Sequence, residues 1–416
     1  MDLKSLEPLL DELIAASLLT AFPGGGRWVM HDLVRVYARS VVTEGPGLRD
    51  EATEAQLRLL SYYLQAVLSA NAHVERCPDD IAHASFSGRD HALKWLDSER
   101  AGLLVAARWT DTEDEALAEG ALWFGLALDS YLSHRRAFDD WAALTEAACL
   151  TARKVGNTGA EARAHAQLGS ALHELRRFDE ATAAHGRALD LYEQLGERHG
   201  QAHVWNNLGL TLRALWRHDE AIDAYTHSAR LHAELGLRQQ AATVRANHGA
   251  VLNIWGHSEQ ARIALEEALA THVELGDRAS EAGVRNSLGL VLRKLGRQEE
   301  SAAALTLALG LCAELGNWHV RGVVWNNLGL TWTALGRLDE AVAAHTRARD
   351  WCAFLGDRHT EASAWGNMGM ALLGLHRIEE ALLAARQALS LFRACGDDHH
   401  IAIAEHNITV ILNAQP

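Results

Sequence analysis

The chain has 416 residues, 48% of them apolar, with only five prolines and a formal net charge of −15. That is material for a large core, for helix nearly throughout, and for a surface that as a whole repels nucleic acid. No apolar run reaches the roughly 18 residues of a membrane span and no signal-peptide pattern is present; Cys77, Cys149, Cys312, Cys352 and Cys395 stand far apart without a C-x-x-C pair, which points to a reducing cytoplasm rather than to disulfides or a zinc site.

Residues 1–45 are expected to stand apart from the rest. "SLEPLLDELIAASLL" reads as an amphipathic helix. Phe22-Pro23-Gly24-Gly25-Gly26-Arg27 reads as a glycine turn leading into a strand at Trp28-Val29-Met30, and a helix follows from Asp32 to about Val42. Helix, wing and helix make the tail of a winged-helix domain. The segment "RWVMHDLVRVYARS" resembles the Met-His-Asp element of signal-transducing nucleotide switches of the NB-ARC (STAND) class. It is especially similar to that of actinobacterial regulators of the AfsR type, whose switch modules precede tetratricopeptide arrays. The resemblance implies that His31 is the residue that would touch a bound nucleotide's phosphate, with Asp32 capping the next helix. Residues 56–64 (QLRLLSYYL) and 91–107 (HALKWLDSERAGLLVAA) are similar to the helical link of those regulators. There is no G-x4-G-K-[ST] and no Walker-B-like strand, so a nucleotide pocket is expected outside this chain, in a switch or NTPase domain acting in cis or in trans. No cofactor is expected within it.

Glycine then sets a period. Gly169, Gly209, Gly249, Gly289, Gly329 and Gly369 recur every 40 residues, as do Gly196, Gly236, Gly276, Gly316, Gly356 and Gly396. A fixed period of this length means a solenoid of stacked units. Within one unit, a first helix is predicted over about 201–215 and a second over about 218–235, with Gly236 ending the second. Asp179, Asp219 and Asp339 open second helices, where a carboxylate suits unsatisfied N–H groups. Trp205, Leu208, Gly209, Ala221, Tyr225 and Ser228 resemble the tetratricopeptide repeat, matching its W-x2-L-G pattern and its later alanine, aromatic and small positions. The departure is length, 40 in place of 34, and the six extra residues are assigned to the "GDRHT"-like connection between units. Phe138-Asp139-Asp140 marks a divergent unit upstream, and residues 400–414 read as a final half-unit with Glu405 and Asn407 as polar caps.

The strongest functional signal is an asparagine column two residues before each repeat glycine: Asn207, Asn247, Asn327, Asn367 and Asn407. Asparagine is a poor helix former because its amide competes for backbone hydrogen bonds. In the repeat family this position faces the concave groove. There an amide can pair with both N–H and C=O of an extended peptide, at about 1 kcal/mol net per pair. The competing use is to tie neighbouring first helices together. Arg213, Asn253 and Arg293 share one register further along, and Arg245 and Arg285 take the place of Trp205 in the middle units. A basic centre in an acidic protein suggests an acidic or C-terminal carboxylate-bearing peptide, against the alternative of solvated surface charge. The 23 histidines invite a metal reading. His199, His319, His359 and His399 share one repeat position, however, and successive units are expected to set such residues too far apart for one ion, so no metal site is expected. The tryptophans at repeat positions are expected to pack between helices.

These features predict an all-α tetratricopeptide-type superhelix of about seven 40-residue helix-turn-helix units with a partial winged-helix element at the N-terminus. The expected organisation is a winged-helix part over 1–45, a helical linker over 46–115 and the array with its capping helix over 116–416. The expected function is cytoplasmic protein–protein recognition in a regulator, with no catalysis and no membrane contact. DNA binding through residues 1–45 and an enzyme or small-molecule receptor in the groove are the alternatives.

Overall fold

The computed structural model describes residues 3–21, 28–30, 32–75, 86–316 and 318–414. Chain contacts divide it into two compact units, 1–177 and 178–416. No described helix is long and apolar enough to cross a membrane.

The first unit begins with α1 (Leu3–Ala15), an antiparallel pair of strands β1 (Leu19–Ala21) and β2 (Trp28–Met30) in the register Leu19↔Met30, and α2 (Asp32–Glu44). The glycine turn, Phe22 to Arg27, lies outside the described residues. Then come α3 (Pro46–Glu75), α4 (Arg89–Ala106), α5 (Glu115–Ala127), α6 (Asp129–His134), α7 (Phe138–Lys154) and α8 (Thr158–Glu174). Leu60, Val67, Leu96, Leu103, Phe124 and Leu128 form their common core, with Tyr63 stacked on Phe124 at 6.0 Å. One exposed carboxylate organises the polar edge: Asp97 accepts from the Tyr131 hydroxyl at 3.0 Å and from Arg135 Nε at 2.9 Å.

The second unit is regular. First and second helices alternate as α9 (Phe178–Gln194), α10 (Arg198–Ala214), α11 (His218–Glu234), α12 (Arg238–Ile254), α13 (Ser258–Glu274), α14 (Arg278–Lys294), α15 (Gln298–Glu314), α16 (Trp318–Ala334), α17 (Leu338–Leu355), α18 (Arg358–Gly374), α19 (Ile378–Cys395) and α20 (Asp398–Asn413). α10 belongs to the first kind and α11 to the second. Every connection among them is two or three residues long, which overturns the expected long connection between units. The "RHT" of "GDRHT" is the first turn of α18, capped by Asp357, whose carboxylate accepts from Thr360 N–H at 3.1 Å. The extra residues lengthen the helices to 17 residues or so each. A polar first turn looks like a loop in sequence, because its N–H groups need side-chain acceptors.

Both kinds of connection make the same turn, so the backbone repeats every 20 residues although the sequence repeats every 40. From position 136 to 396, every twentieth residue has φ between 54° and 85°. Most are glycine, and Arg136, Arg176, Trp216 and His376 adopt the same conformation. The turn is closed by paired backbone bonds, such as Arg217 N–H to Leu212 O at 2.9 Å and Trp216 N–H to Arg213 O at 3.1 Å.

The repeat glycine is where the two helices of a unit touch. A Cβ on Gly209 would lie 2.8 Å from the Tyr225 ring; on Gly289, 2.6 Å from Leu305; and on Gly329, 2.6 Å from His345. The column that fills this space is His185, Tyr225, Leu265, Leu305 and His345, all fully buried. His185 and His345 are therefore core residues, as their repetition suggests.

Candidate functional site

Within the second unit, α12 packs on α14, α14 on α16, α16 on α18 and α18 on α20, while each second helix packs chiefly on the first helices beside it. First helices thus sit closer together than second helices, and they line the inner side of the array. The asparagine column lies on that side. Asn247 Nδ2 donates to Asn206 Oδ1 at 3.2 Å, Asn327 Nδ2 to Asn286 Oδ1 at 2.9 Å, and Asn367 Nδ2 to Asn326 Oδ1 at 3.1 Å. Each bond spans 41 residues and joins one first helix to the next. Gln167, in the same column of the first unit, also reaches 41 residues back, to Leu126 O at 3.1 Å.

Asn207 and Asn407 differ. Asn207 Oδ1 accepts from its neighbour Asn206 at 3.2 Å, and position 166, 41 residues earlier, is alanine. Asn407 has Gly366 at the corresponding place and makes no tie of this kind. The signal available in sequence was pairing across units. Asn206, Asn286 and Asn326 are each followed 41 residues later by Asn247, Asn327 and Asn367. Taken as one column, the first asparagine looks only weakly periodic; taken with the next unit, it is one half of a bond.

Replacing Asn247, Asn327 and Asn367 together with alanine is expected to lower stability by only about 1–2 kcal/mol. Each lost amide–amide bond costs about 1 kcal/mol, and the better helix propensity of alanine returns roughly half of it. Urea unfolding reads this directly, and an unchanged midpoint would mean that the amides hold nothing together.

The arginine register is less satisfied within the chain. Arg245 Nε lies 3.3 Å from Glu267, and Arg285 Nη2 lies 2.8 Å from Glu281, so these two are neutralised by neighbours. Arg213 has no ion pair among the described residues and is half-buried. Arg293 is half-buried, its Nε is buried without a hydrogen-bond partner, and burial lowers the pKa of its guanidinium. Asn253, at the same register on α12, likewise leaves Oδ1 buried without a partner. Buried polar atoms are nearly always paired, so an exception at a groove-facing position marks a place where water, an ion or a partner can bind. The residues expected here by sequence therefore carry an unfilled donor and an unfilled acceptor on neighbouring first helices.

The tryptophan column packs as expected, with specific partners. Trp205 stacks on His227 at 4.9 Å, Arg347 sits 4.7 Å over Trp325, and Arg349 sits 4.7 Å over Trp365. His31 lies outside the described residues; Asp32 begins α2. Histidines from different repeat columns do meet at one place. His359 and His400, from successive units, both reach Asp397, because the short link before α20 folds back on the start of α18.

Comparison with known proteins places these repeats. The tetratricopeptide repeat profile matches residues 160–234, 200–272 and 320–394. A regulatory protein AfsR of Streptomyces griseus is 39% identical over 114 residues, 24% of this chain and 11% of that protein. Its namesake from Streptomyces coelicolor is 32% identical over 180 residues, 40% of this chain and 18% of that protein. The chain thus matches less than a fifth of the length of these curated relatives. Among solved structures, a signal transduction ATPase with numerous domains carrying a tetratricopeptide repeat sensor, from Pyrococcus horikoshii, aligns at a TM-score of 0.58 and 13% identity. That alignment covers 97% of this chain and 60% of that one.

Proposed function

The repeats of residues 160–272 and 320–394 are tetratricopeptide repeats related to those of AfsR-type regulators, and from that premise we propose that the chain is the interaction and sensor module of a regulator. Its first-helix face holds an extended peptide or a partner's segment. The observation that carries the reading is the pair of buried atoms without a partner on neighbouring first helices, Asn253 Oδ1 and Arg293 Nε, with the half-buried Arg213, which has no ion pair among the described residues, one unit earlier. Two guanidinium groups flanking an amide suit a carboxylate, from an acidic side chain or a free C-terminus, because arginine gives paired N–H donors in a fixed fork.

The asparagines take the main chain in this reading. A tie uses one N–H of each amide, which leaves a second N–H and a carbonyl oxygen for a peptide's C=O and N–H. The ties also hold the first helices at a fixed spacing, so the ligand meets a preorganised surface. Residues 1–45 serve as the tail of a winged helix and residues 46–115 as a helical link, and the switch domain that reads the array acts in cis or in trans. The names of the relatives, regulatory proteins and a repeat sensor, support this assignment.

Selection from a library of peptides displayed with free C-termini tests the reading. The expected binders carry Asp, Glu or an essential terminal carboxylate. The variant combining Arg213→Ala, Asn253→Ala and Arg293→Ala is expected to bind them at least about tenfold less well, since one charge-assisted bond alone contributes about 1.5–3 kcal/mol. Its melting point should not fall, because two of the groups removed are unsatisfied in the free protein. Equal affinity of variant and wild type would sink the proposal.

A further inference from the structure

The second unit ends in a side-chain cluster that the peptide reading does not use. Asp397 caps α20, its Oδ1 accepting from His400 N–H at 3.0 Å. Its other oxygen, Oδ2, meets two imidazoles, His359 Nε2 at 3.0 Å and His400 Nδ1 at 2.8 Å. The three ligand atoms lie within 4.8 Å of one another. The side chains of His359, His400 and Asp397 are 49%, 36% and 25% exposed, so an ion has a path from solvent. Phe392 stacks on His400 at 5.0 Å and meets His359 edge-on at 5.6 Å, so one ring packs against both imidazoles.

The repeat shows which part of this is ordinary architecture. One hundred and twenty residues earlier in the same register, Gln239 Nε2 donates to Asp277 Oδ2 at 2.9 Å, and Ser280 occupies the place of His400. A tie from one unit to the next cap carboxylate thus needs no imidazole on the first helix, although at Asp277 the same oxygen also meets the buried His272 Nδ1 at 3.1 Å. Among the described residues, the last junction is where imidazoles on two successive first helices meet one cap carboxylate. Two imidazole nitrogens and one carboxylate oxygen are a ligand set that a structural tie does not require.

We propose that His359, Asp397 and His400 bind one divalent cation of the zinc class, with the fourth position open. A tetrahedral ion with bonds of about 2.0–2.1 Å needs ligand atoms roughly 3.3 Å apart. Reaching that from 2.8 and 3.0 Å, and from at most 4.8 Å for the third pair, takes small rotations of exposed side chains. Nitrogen ligands select Zn2+, Co2+ or Ni2+ over Ca2+ and Mg2+, which prefer all-oxygen shells. The ion replaces the protons now shared between the imidazoles and Asp397, so its binding releases protons and weakens at low pH. Because it links α18 to α20 across the Asp397 cap, occupancy would stiffen the terminal unit of the array.

Titration of the full chain with ZnCl2, under a phosphine reductant that keeps the cysteines reduced, tests this by calorimetry, and Co2+ absorbance reports tetrahedral geometry. The expected result is one saturable site per chain, weakened at least about tenfold by His400→Ala or His359→Ala and unchanged by His199→Ala with His203→Ala. The double variant His359→Gln with His400→Ser places at these two positions the residues found at Gln239 and Ser280, so it should fold and melt like the apo wild type while binding no zinc. Absence of saturable binding in the wild type, or undiminished binding in that double variant, would overturn the proposal.

Discussion

Truncating Tyr225 to alanine is expected to destabilise the second unit by about 3–5 kcal/mol, the largest effect of any single change considered for this chain. The ring is fully buried and fills the space left by Gly209, whose absent Cβ would stand 2.8 Å from it. It packs with Leu208, Leu212, Ala221 and Val244, so its loss opens a cavity reaching both helices of its own unit and the first helix of the next. The contrast with Tyr225→Phe is the sharper test. The hydroxyl is buried without a hydrogen-bond partner, and burial pushes its pKa up to about 12. Removing an unsatisfied buried hydroxyl removes a desolvation penalty and little else. Tyr225→Phe should therefore equal or exceed the wild type in urea, while Tyr225→Ala loses most of its protection from hydrogen exchange over 198–254. A marked loss of stability in Tyr225→Phe would show that the hydroxyl is paired and the packing account wrong.

The second large effect is acid lability. His345 is fully buried beneath Gly329, its Nδ1 lies 3.0 Å from Asn326 Oδ1, and its Nε2 has no partner. Burial lowers its pKa to about 4, against 6.5 for the free side chain. Between those values the unfolded chain holds a proton that the folded chain refuses. Stability from this residue is complete above pH 6.5 and is lost as the pH falls towards 4, by about 3 kcal/mol in all. Burial also lowers the pKa values of His203, His232 and His248, which adds in the same direction. Asp397, held at about 2 by the His400 N–H and by the two imidazoles, acts separately, because its contribution is lost only below its normal range near 3.8. Thermal melts of the second unit between pH 7.5 and 4.5 should show a steep decline. His345→Leu, which installs the residue found at Leu265 and Leu305, should flatten it without loss at neutral pH. A pH-independent melting point over that range would contradict the assignment of His345 as a neutral core residue.

Much of this architecture is written plainly in the residues. The 40-residue glycine columns announce the array, and the small residue at Gly209 announces a close approach, later filled by Tyr225. What the pattern hides follows from chemistry that several residue types can perform. The turn at every twentieth residue is masked because Arg136, Arg176, Trp216 and His376 adopt the conformation that glycine favours elsewhere. The lengthened helices are masked because capped first turns are as polar as loops. The asparagine ties are hidden in another way: donor and acceptor occupy different columns, and the bond runs between units, so a search within one column sees half of it. His359 and His400 are hidden for the same reason, since they stand in different repeat columns. Neighbouring units are joined through the cap carboxylate Asp397, and the relevant spacing is from helix start to link.

The central claim is that the first-helix face at Arg213, Asn253 and Arg293 is where a partner is held. Hydrogen–deuterium exchange of the full chain, with and without a peptide selected from the displayed library, tests it most directly. The account predicts slowed exchange concentrated on α10, α12 and α14 around those residues, with the second helices α11 and α13 unchanged. Protection confined to the second helices, or to residues 1–177, would contradict it.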